Sequence, residues 1–181
     1  MEGRTVPAVT FKKRVRDASI GGDNPFKWID VHTKDIFLGN RVVVFALPGA
    51  FTPTCSTYQV PGFVEYADSI KAFGVDEIYV LSVNDTFVMR KWMLEQDCAN
   101  KIDFIPDGNA EFTKGLGMDL DMSAVGFGTR SRRYAMVVDN GVIEKMFAEA
   151  DATEENPDPY EVSTPINVLE YIRAKADVVY G

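Results

Sequence analysis

The stretch that decides the fold is "RVVVFALPGAFTPTCS", residues 41 to 56. Its first part, Arg41 to Leu47, is a short apolar run rich in β-branched residues, bounded by Asn40 on one side and by Pro48 and Gly49 on the other. A run of this length and composition predicts a strand that is buried on both faces of a sheet.

The chain beyond this stretch repeats the pattern of strand and helix. Apolar residues recur at helical spacing in "FVEYADSIKAF" (63–73), "DEIYVLSV" (76–83) indicates a second buried strand, and "FVMRKWMLEQ" (87–96) indicates an amphipathic helix. The resulting β-α-β-α order implies a parallel sheet with right-handed crossovers.

Two more elements follow towards the C-terminus. The segment "RRYAMVVDNGVIEKMF" (132–147) contains two strand-like runs joined by the Asn-Gly pair at 140–141, which is preferred in tight hairpins. In "PINVLEYIRAKA" (165–176), a proline in the first turn follows a Ser-Thr cap, so a final helix is expected.

The order β-α-β-α-β-β-α predicts an α/β protein with a thioredoxin-like fold. Residues before Asn40 form an N-terminal extension to that fold, and the segment from about Cys98 to Arg130 is an insertion before the final hairpin. The sequence shows no internal repeat and no linker-like stretch, and 181 residues fit one domain. We therefore expect a single domain over residues 1–181.

Charge and cysteine content exclude several classes of function. A net charge of −8 disfavours nucleic-acid binding, because the average field of the chain repels phosphate. No apolar run approaches the ~20 residues of a membrane-spanning helix, which indicates a cytoplasmic protein, with a cleaved organelle precursor as the alternative. Two cysteines and one histidine cannot supply a disulfide framework or the four ligands of a structural zinc site.

Cys55 is the residue around which the chemistry is expected. Thr52 is a good N-cap and Pro53 suits the first helical position, so Cys55 falls in the first turn of a helix, where free N–H groups and the helix dipole favour a thiolate over a thiol. The alternative is a small buried hydrophobic residue, as most free cysteines are. Thr52 also replaces the first cysteine of a Cys-x-x-Cys motif, which argues against disulfide exchange. Pro61 predicts a kink or break in this helix.

The spacing of Pro48, Thr52 and Cys55, Pro-x-x-x-Thr-x-x-Cys, resembles the active-site signature of the peroxiredoxin family. With "VPGF" and "SVND" after it, the segment is similar to the peroxiredoxin 5 (type II) subfamily. Matching segments such as "FIPDGNAEFTKGLGM" and "GFGTRSRRYAMVVDNGVI" extend the resemblance over most of the chain. The sequence also resembles the peroxidase part of bacterial proteins that carry a C-terminal glutaredoxin module.

The resemblance implies reduction of hydrogen peroxide and organic hydroperoxides by Cys55, with no metal or bound cofactor. It further implies that Thr52 supplies a hydroxyl to the peroxide, that Pro48 closes the pocket, and that the arginine of the Gly-x-Arg context, Arg130, stabilises the thiolate and holds peroxide oxygens. Without the resemblance, Pro48 would be an ordinary strand terminator and Arg130 a solvated charge. Arg132 and Arg133 are expected to be solvated at a strand end.

The second cysteine, Cys98, follows the second helix and does not lie where the subfamily places a resolving cysteine. It is either a bystander or, less in keeping with its position, the resolving thiol, and we expect a one-cysteine mechanism. The resemblance then implies regeneration by glutathione, with or without glutaredoxin, or by thioredoxin. The acidic segment "EADATEENPDPY", residues 149–160, has no evident catalytic use.

Two other functions compete with the peroxidase. One is a thiol-disulfide oxidoreductase on the same fold, and the other is a redox sensor or holdase that uses Cys55 as a switch and consumes about one peroxide per chain. The resemblance also implies a homodimer, with "SVNDTF" and "MSAVGFG" at the interface. The net charge and the absence of a long apolar run indicate that neither nucleic acid nor a membrane is a partner.

Overall fold

The computed structural model describes residues 1–98 and 100–180, with side chains described up to residue 178. The strands are β1 (Thr10–Arg16), β2 (Phe26–His32), β3 (Arg41–Ala46), β4 (Glu77–Ser82), β5 (Asp103–Pro106), β6 (Asp119–Asp121), β7 (Thr129–Ser131), β8 (Tyr134–Asp139) and β9 (Val142–Ala148). The helices are α1 (Thr33–Phe37), α2 (Val60–Lys71), α3 (Thr86–Glu95), α4 (Glu111–Gly115) and α5 (Pro165–Tyr180). A π-helical turn, Cys55–Gln59, leads directly into α2.

The central sheet has five strands in the order β5-β4-β3-β8-β9. The strand β3 lies in the middle, parallel to β4 and antiparallel to β8, and every residue of β3 after Arg41 is fully buried. This arrangement confirms the strand predicted from the apolar run and the α/β thioredoxin-like order of the elements that follow it.

Side chains that alternate along β3 enter two separate layers of the core. Val43 and Phe45 face the layer covered by α2, α3 and α5, where the rings of Phe45 and Phe63 stack with centroids 4.0 Å apart. Val42 and Val44 face the layer covered by α1, α4 and the β1 strand. Because both faces of β3 are covered, its position and that of the chain leaving its C-terminal end are fixed.

The segments outside the predicted order are themselves structured. The N-terminal extension contains the antiparallel pair β1-β2, and the predicted insertion contains β5, α4 and the small β6-β7 pair. β5 extends the central sheet parallel to β4. Sequence patterning missed this strand because its four residues, "DFIP", are too few to show a period and end in proline.

The hairpin at the other side of the sheet agrees with its prediction. Asn140 and Gly141 both have positive φ, 49° and 81°, as the tight turn between β8 and β9 requires. In β8, Tyr134 pairs with Ala46, the last residue of β3. Arg133 is therefore placed just beyond the end of β3, where the chain turns towards Cys55.

The break predicted near Pro61 takes a different form. The helix begins at Pro53 and continues to the end of α2, and its irregularity is the π-turn, in which the N–H of Val60 donates to the carbonyl of Cys55. Pro61 lacks an N–H, and the wider turn before it lets the helix continue without an ordinary hydrogen bond at that position. The predicted break between Gln59 and Gly62 is therefore absent, and the irregularity of the helix is the π-turn that ends at Gln59.

Within the part of the chain that the structure describes, no helix combines the length and the apolar composition needed to cross a membrane.

Candidate active site

The sulfur of Cys55 lies at the start of the helix that follows β3. Pro53 is the first helical residue, and the N–H of Ser56 donates to the carbonyl of Thr52 at 3.0 Å. Cys55 is thus in the first turn, as predicted, where backbone N–H groups have no partner within the helix. Its side chain is fully buried, so a reactant must enter a pocket to reach it.

The π-turn brings a second polar side chain to the same place. Gln59, four residues after Cys55 and also fully buried, accepts a hydrogen bond from Nη1 of Arg133 and donates one to the carbonyl of Ala46 at 3.2 Å. Gln59 therefore connects the end of β3, the cysteine turn and the arginine. Single π-turns inside α-helices are frequently found at functional sites.

Arg133 is the arginine that contacts the sulfur. Its Nη1 donates to Sγ of Cys55 at 3.4 Å, and its Nη2 donates to Oδ1 of Asp158 at 2.6 Å. The ring of Tyr160 lies 5.8 Å from the guanidinium carbon. Only 4% of the Arg133 side chain is exposed, so a buried cation is held in contact with a buried sulfur.

The environment of Arg133 keeps the guanidinium charged. Burial by itself lowers its pKa, but the charge of Cys55 and the Asp158 carboxylate more than offset this, and the net pKa of Arg133 is raised. Its Nε has no hydrogen-bond partner among the described residues.

The other residues predicted for the site surround this pair. The hydroxyl of Thr52 donates to the carbonyl of Gly49 at 2.7 Å, so its oxygen remains able to accept a hydrogen bond from a bound reactant. Pro48 lines a cavity of about 340 Å³ together with Arg133 and Asp158. Pro48 and Thr52 both lie on the segment between β3 and the cysteine turn.

Arg130 occupies a different position from the one expected. Its Nη1 donates to the carbonyl of Pro48 at 3.1 Å and its Nε to the carbonyl of Phe127 at 3.1 Å. The structure thus gives to Arg133 the sulfur contact that the sequence had suggested for Arg130, which packs instead against the loop before Cys55. The expectation that Arg133 is solvated was wrong, since it is buried.

A signal for Arg133 was present in the sequence. The Asn-Gly turn fixes the hairpin, and pairing of its first strand beside the buried strand brings the residue before Tyr134 to the end of that strand. Counting back from the turn points to Arg133, whereas the Gly-x-Arg pattern pointed to Arg130. Arg130 lies in β7, opposite Leu120.

The acidic segment also contributes to the site. The carboxylate of Glu149 accepts hydrogen bonds from the backbone N–H groups of Glu161, Val162 and Ser163 and from the Ser163 hydroxyl. This closes the loop and brings Asp158 to Arg133. Sequence reasoning had given this segment no role, and nothing in its composition singles out Asp158 from the acidic residues around it.

Two hydrogen bonds hold the cysteine turn and the loop before it against α3 and the segment that connects β4 to α3. Nε1 of Trp92 in α3 donates to Oγ of Ser56 at 2.9 Å, and the N–H of Ala50 donates to Oδ1 of Asn84 at 3.0 Å. These contacts fix the residues on either side of Thr52 and limit the movement of the sulfur.

Cys98 lies in a different environment. Its side chain is 3% exposed, and burial, with a smaller contribution from the charge of Asp97, raises its pKa to about 11. A thiol with so high a pKa is almost entirely protonated near neutral pH, which makes Cys98 a poor nucleophile. Both cysteines are free thiols. In the described residues, no group of three or more His, Cys, Asp or Glu side chains is placed to hold a metal ion.

Known proteins resemble this chain over nearly its whole length. Residues 2–162 match the Redoxin family. The chain is 49% identical to a peroxiredoxin of Rhizobium etli, over 97% of this chain and 98% of that one. It is 48% identical to the hybrid peroxiredoxin hyPrx5 of Haemophilus influenzae, over 98% of this chain and 68% of that protein. The crystal structure of a Plasmodium falciparum antioxidant protein, a one-cysteine peroxiredoxin, is 35% identical, with a TM-score of 0.84 over 96% of this chain and 99% of that one.

Proposed function

The chain belongs to the peroxiredoxin family, in its type II (peroxiredoxin 5) subfamily, and is a thiol-dependent peroxidase; we propose that Cys55 is the sulfur that attacks the hydroperoxide and that Arg133 and Thr52 assist it. The observation that carries this assignment is the donation from Nη1 of Arg133 to the buried sulfur of Cys55. The substrates of the enzyme are peroxides and its reductant is a thiol. We propose both hydrogen peroxide and organic hydroperoxides as substrates.

The first step of the reaction forms a sulfur–oxygen bond. The Cys55 thiolate attacks the terminal oxygen of the hydroperoxide in line with the O–O bond, which breaks with its electron pair on the departing oxygen. That oxygen leaves as hydroxide or alkoxide and takes a proton from solvent, giving water or an alcohol. The sulfur becomes a sulfenic acid, so the cysteine is oxidised by two electrons and the peroxide is reduced by two.

Donors fixed around the sulfur lower the barrier of this step. Negative charge passes from the sulfur to the departing oxygen, and the Arg133 guanidinium, which already donates to the sulfur, stabilises the charge on both atoms. The N–H of Cys55, in the first helical turn, is a second donor. The hydroxyl oxygen of Thr52 accepts a hydrogen bond from the O–H of the peroxide, because the hydrogen of that hydroxyl is already donated to the carbonyl of Gly49. Pro48 and Arg133 both line the neighbouring cavity of about 340 Å³, and we propose that Pro48 shields the sulfur on that side.

We propose that the enzyme has a one-cysteine cycle. The buried and protonated Cys98 is a poor candidate for attacking the sulfenic acid. An external thiol then condenses with the sulfenic acid, forming a disulfide with Cys55 and releasing water. A second thiol displaces Cys55 and leaves as the disulfide of the reductant. The similarity to a one-cysteine peroxiredoxin supports this cycle.

The proposed roles of the two arginines give opposite predictions. Replacing Arg133 with alanine should lower kcat/KM for hydrogen peroxide by about 100- to 1,000-fold, as loss of a preorganised donor does. Arg130→Ala should lower it by less than about tenfold, because the described hydrogen bonds of Arg130 go to the carbonyls of Pro48 and Phe127. Cys55→Ser should abolish turnover, measured as peroxide consumed with excess dithiothreitol. A larger loss in Arg130→Ala than in Arg133→Ala would refute the assignment, and one peroxide consumed per chain would indicate a sensor.

Glutathione with glutaredoxin is the reductant that we propose, by analogy with the hybrid relative. The free thiols of the chain fit a reducing compartment. We therefore propose that the protein resides in the cytoplasm, which fractionation of the source cells would test. With hydrogen peroxide as substrate, turnover should be faster with glutathione plus glutaredoxin than with thioredoxin and its reductase at equal reductant concentration. Faster turnover with thioredoxin would contradict the proposal.

A homodimer is also proposed. Exposed apolar side chains occur in both segments that the family resemblance places at an interface, Phe87 at 57% exposure in one and Val125 at 63% in the other, and exposed Phe51 lies on the cysteine loop. Sedimentation velocity at micromolar concentration should give about twice the 20.1 kDa chain mass, and Val125→Asp should give a monomer. Ile20→Asp, at a residue 50% exposed and outside these segments, is the control. A wild-type monomer would contradict the dimer.

A further inference from the structure

We propose that Asp158 is a positioning residue of the peroxidase reaction: its carboxylate shares the Arg133 guanidinium with Cys55, fixing the orientation of the cation and moderating its charge at the sulfur. The inference rests on the proposed role of Cys55 and adds to the site a residue from the acidic segment 149–160.

The contacts of Arg133 define the two ends of the guanidinium. Nη1 is directed to Cys55 and Gln59, and Nη2 is directed to Asp158 at 2.6 Å. A guanidinium held by acceptors at both ends has a fixed plane, and a catalytic donor must be held to within a few tenths of an ångström. Without Asp158, the Nη2 end has no anionic partner to hold it in the described site.

The loop that carries Asp158 is anchored on both sides of it. On one side, the N–H of Glu149 donates to the carbonyl of Arg133 at 3.0 Å. On the other side, the Glu149 carboxylate binds the backbone N–H groups of residues 161–163, and the Tyr160 ring lies against the guanidinium. Asp158 is therefore held at Arg133 although its side chain is 47% exposed.

The carboxylate has two opposing effects on the sulfur. It holds the guanidinium in place, which favours reaction, and its negative charge offsets part of the field that favours the thiolate. Three charged or titratable groups lie near Cys55: Arg133, directly before β8, and Asp158 and Tyr160 from the segment 149–160, which contact the guanidinium. The π-turn contributes the neutral Gln59. Burial raises the pKa of Tyr160 to about 12, so this phenol stays neutral across the working range.

Two substitutions separate these effects. Asp158→Asn keeps an oxygen that can accept from Nη2 but removes the charge, whereas Asp158→Ala removes both. Asp158→Glu keeps both on a longer side chain. Asp151→Asn is the matched control, because Asp151 lies on the same loop and pairs with Arg132, which makes no contact with the sulfur among the described residues.

The first readout is the pH profile of alkylation of Cys55 by iodoacetamide, in a Cys98→Ser background. On the acid limb, where the rate follows the thiolate fraction, Asp158→Asn should react about threefold faster than the parent. The second readout is kcat/KM for hydrogen peroxide, which should fall about tenfold in Asp158→Ala and be largely restored in Asp158→Glu. Asp151→Asn should match the parent in both.

The inference is overturned if Asp158→Asn leaves the acid limb unchanged, if Asp151→Asn moves it equally, or if Asp158→Ala retains the parental kcat/KM. Thermal melts of all variants identify a folding defect, and the near-isosteric Asp158→Asn keeps the test valid if Asp158→Ala is unstable. Alkylation does not require turnover. Failure of the proposed function, seen as turnover by Cys55→Ser, is therefore distinguishable from failure of the role given to Asp158.

Discussion

The contact between the buried Arg133 guanidinium and the sulfur of Cys55 is the interaction on which the rest of the site depends. A cation removed from water costs several kcal/mol unless anions or acceptors surround it. Arg133 has such partners in the sulfur, the Gln59 oxygen and the Asp158 carboxylate. Cys55 and Gln59 lie on one turn and Asp158 lies on a distant loop, so the fold must bring these two segments and that of Arg133 together to keep one charge buried.

The central sheet performs that task. Because Ala46 and Tyr134 are paired, the chain leaving β3 and the chain entering β8 lie side by side at the same end of the sheet. The loop after β3 leads to Cys55, and Arg133 directly precedes β8. Gln59 connects the end of β3 to the start of β8, since its side-chain N–H donates to the carbonyl of Ala46 and its side-chain oxygen accepts from Arg133. The catalytic geometry therefore follows from strand register together with one widened helical turn.

The sequence predicted the elements that have a strong local pattern. The buried strand at 41–47, the helix beginning at Pro53, the Asn-Gly hairpin and the final helix were all found where the patterns indicated. Cys55 was recognised because a cap, a proline and a cysteine at fixed spacing form a local signal. The short strand β5 and the π-turn have no such signal, since one is too short for a period and the other depends on packing around Pro61.

The site residues contributed by distant segments were harder to predict. Choosing between Arg130 and Arg133 requires counting back from the Asn-Gly turn through the pairing of β3 with β8, because the cluster of three arginines within four residues does not by itself distinguish them. Asp158 is one acidic residue among several in its loop, and its role depends on the closure that Glu149 provides through backbone groups. Side chains that meet only through tertiary structure leave little trace in a single sequence.

The most direct test of the account is the intact mass of the reduced protein after one equivalent of hydrogen peroxide, measured beside Cys98→Ser. The account predicts the gain of one oxygen in both proteins, as a sulfenic acid on Cys55 that awaits an external thiol. Loss of two hydrogens in the parent alone, or a disulfide-linked dimer there, would mean that Cys98 resolves the sulfenic acid and would contradict the one-cysteine cycle.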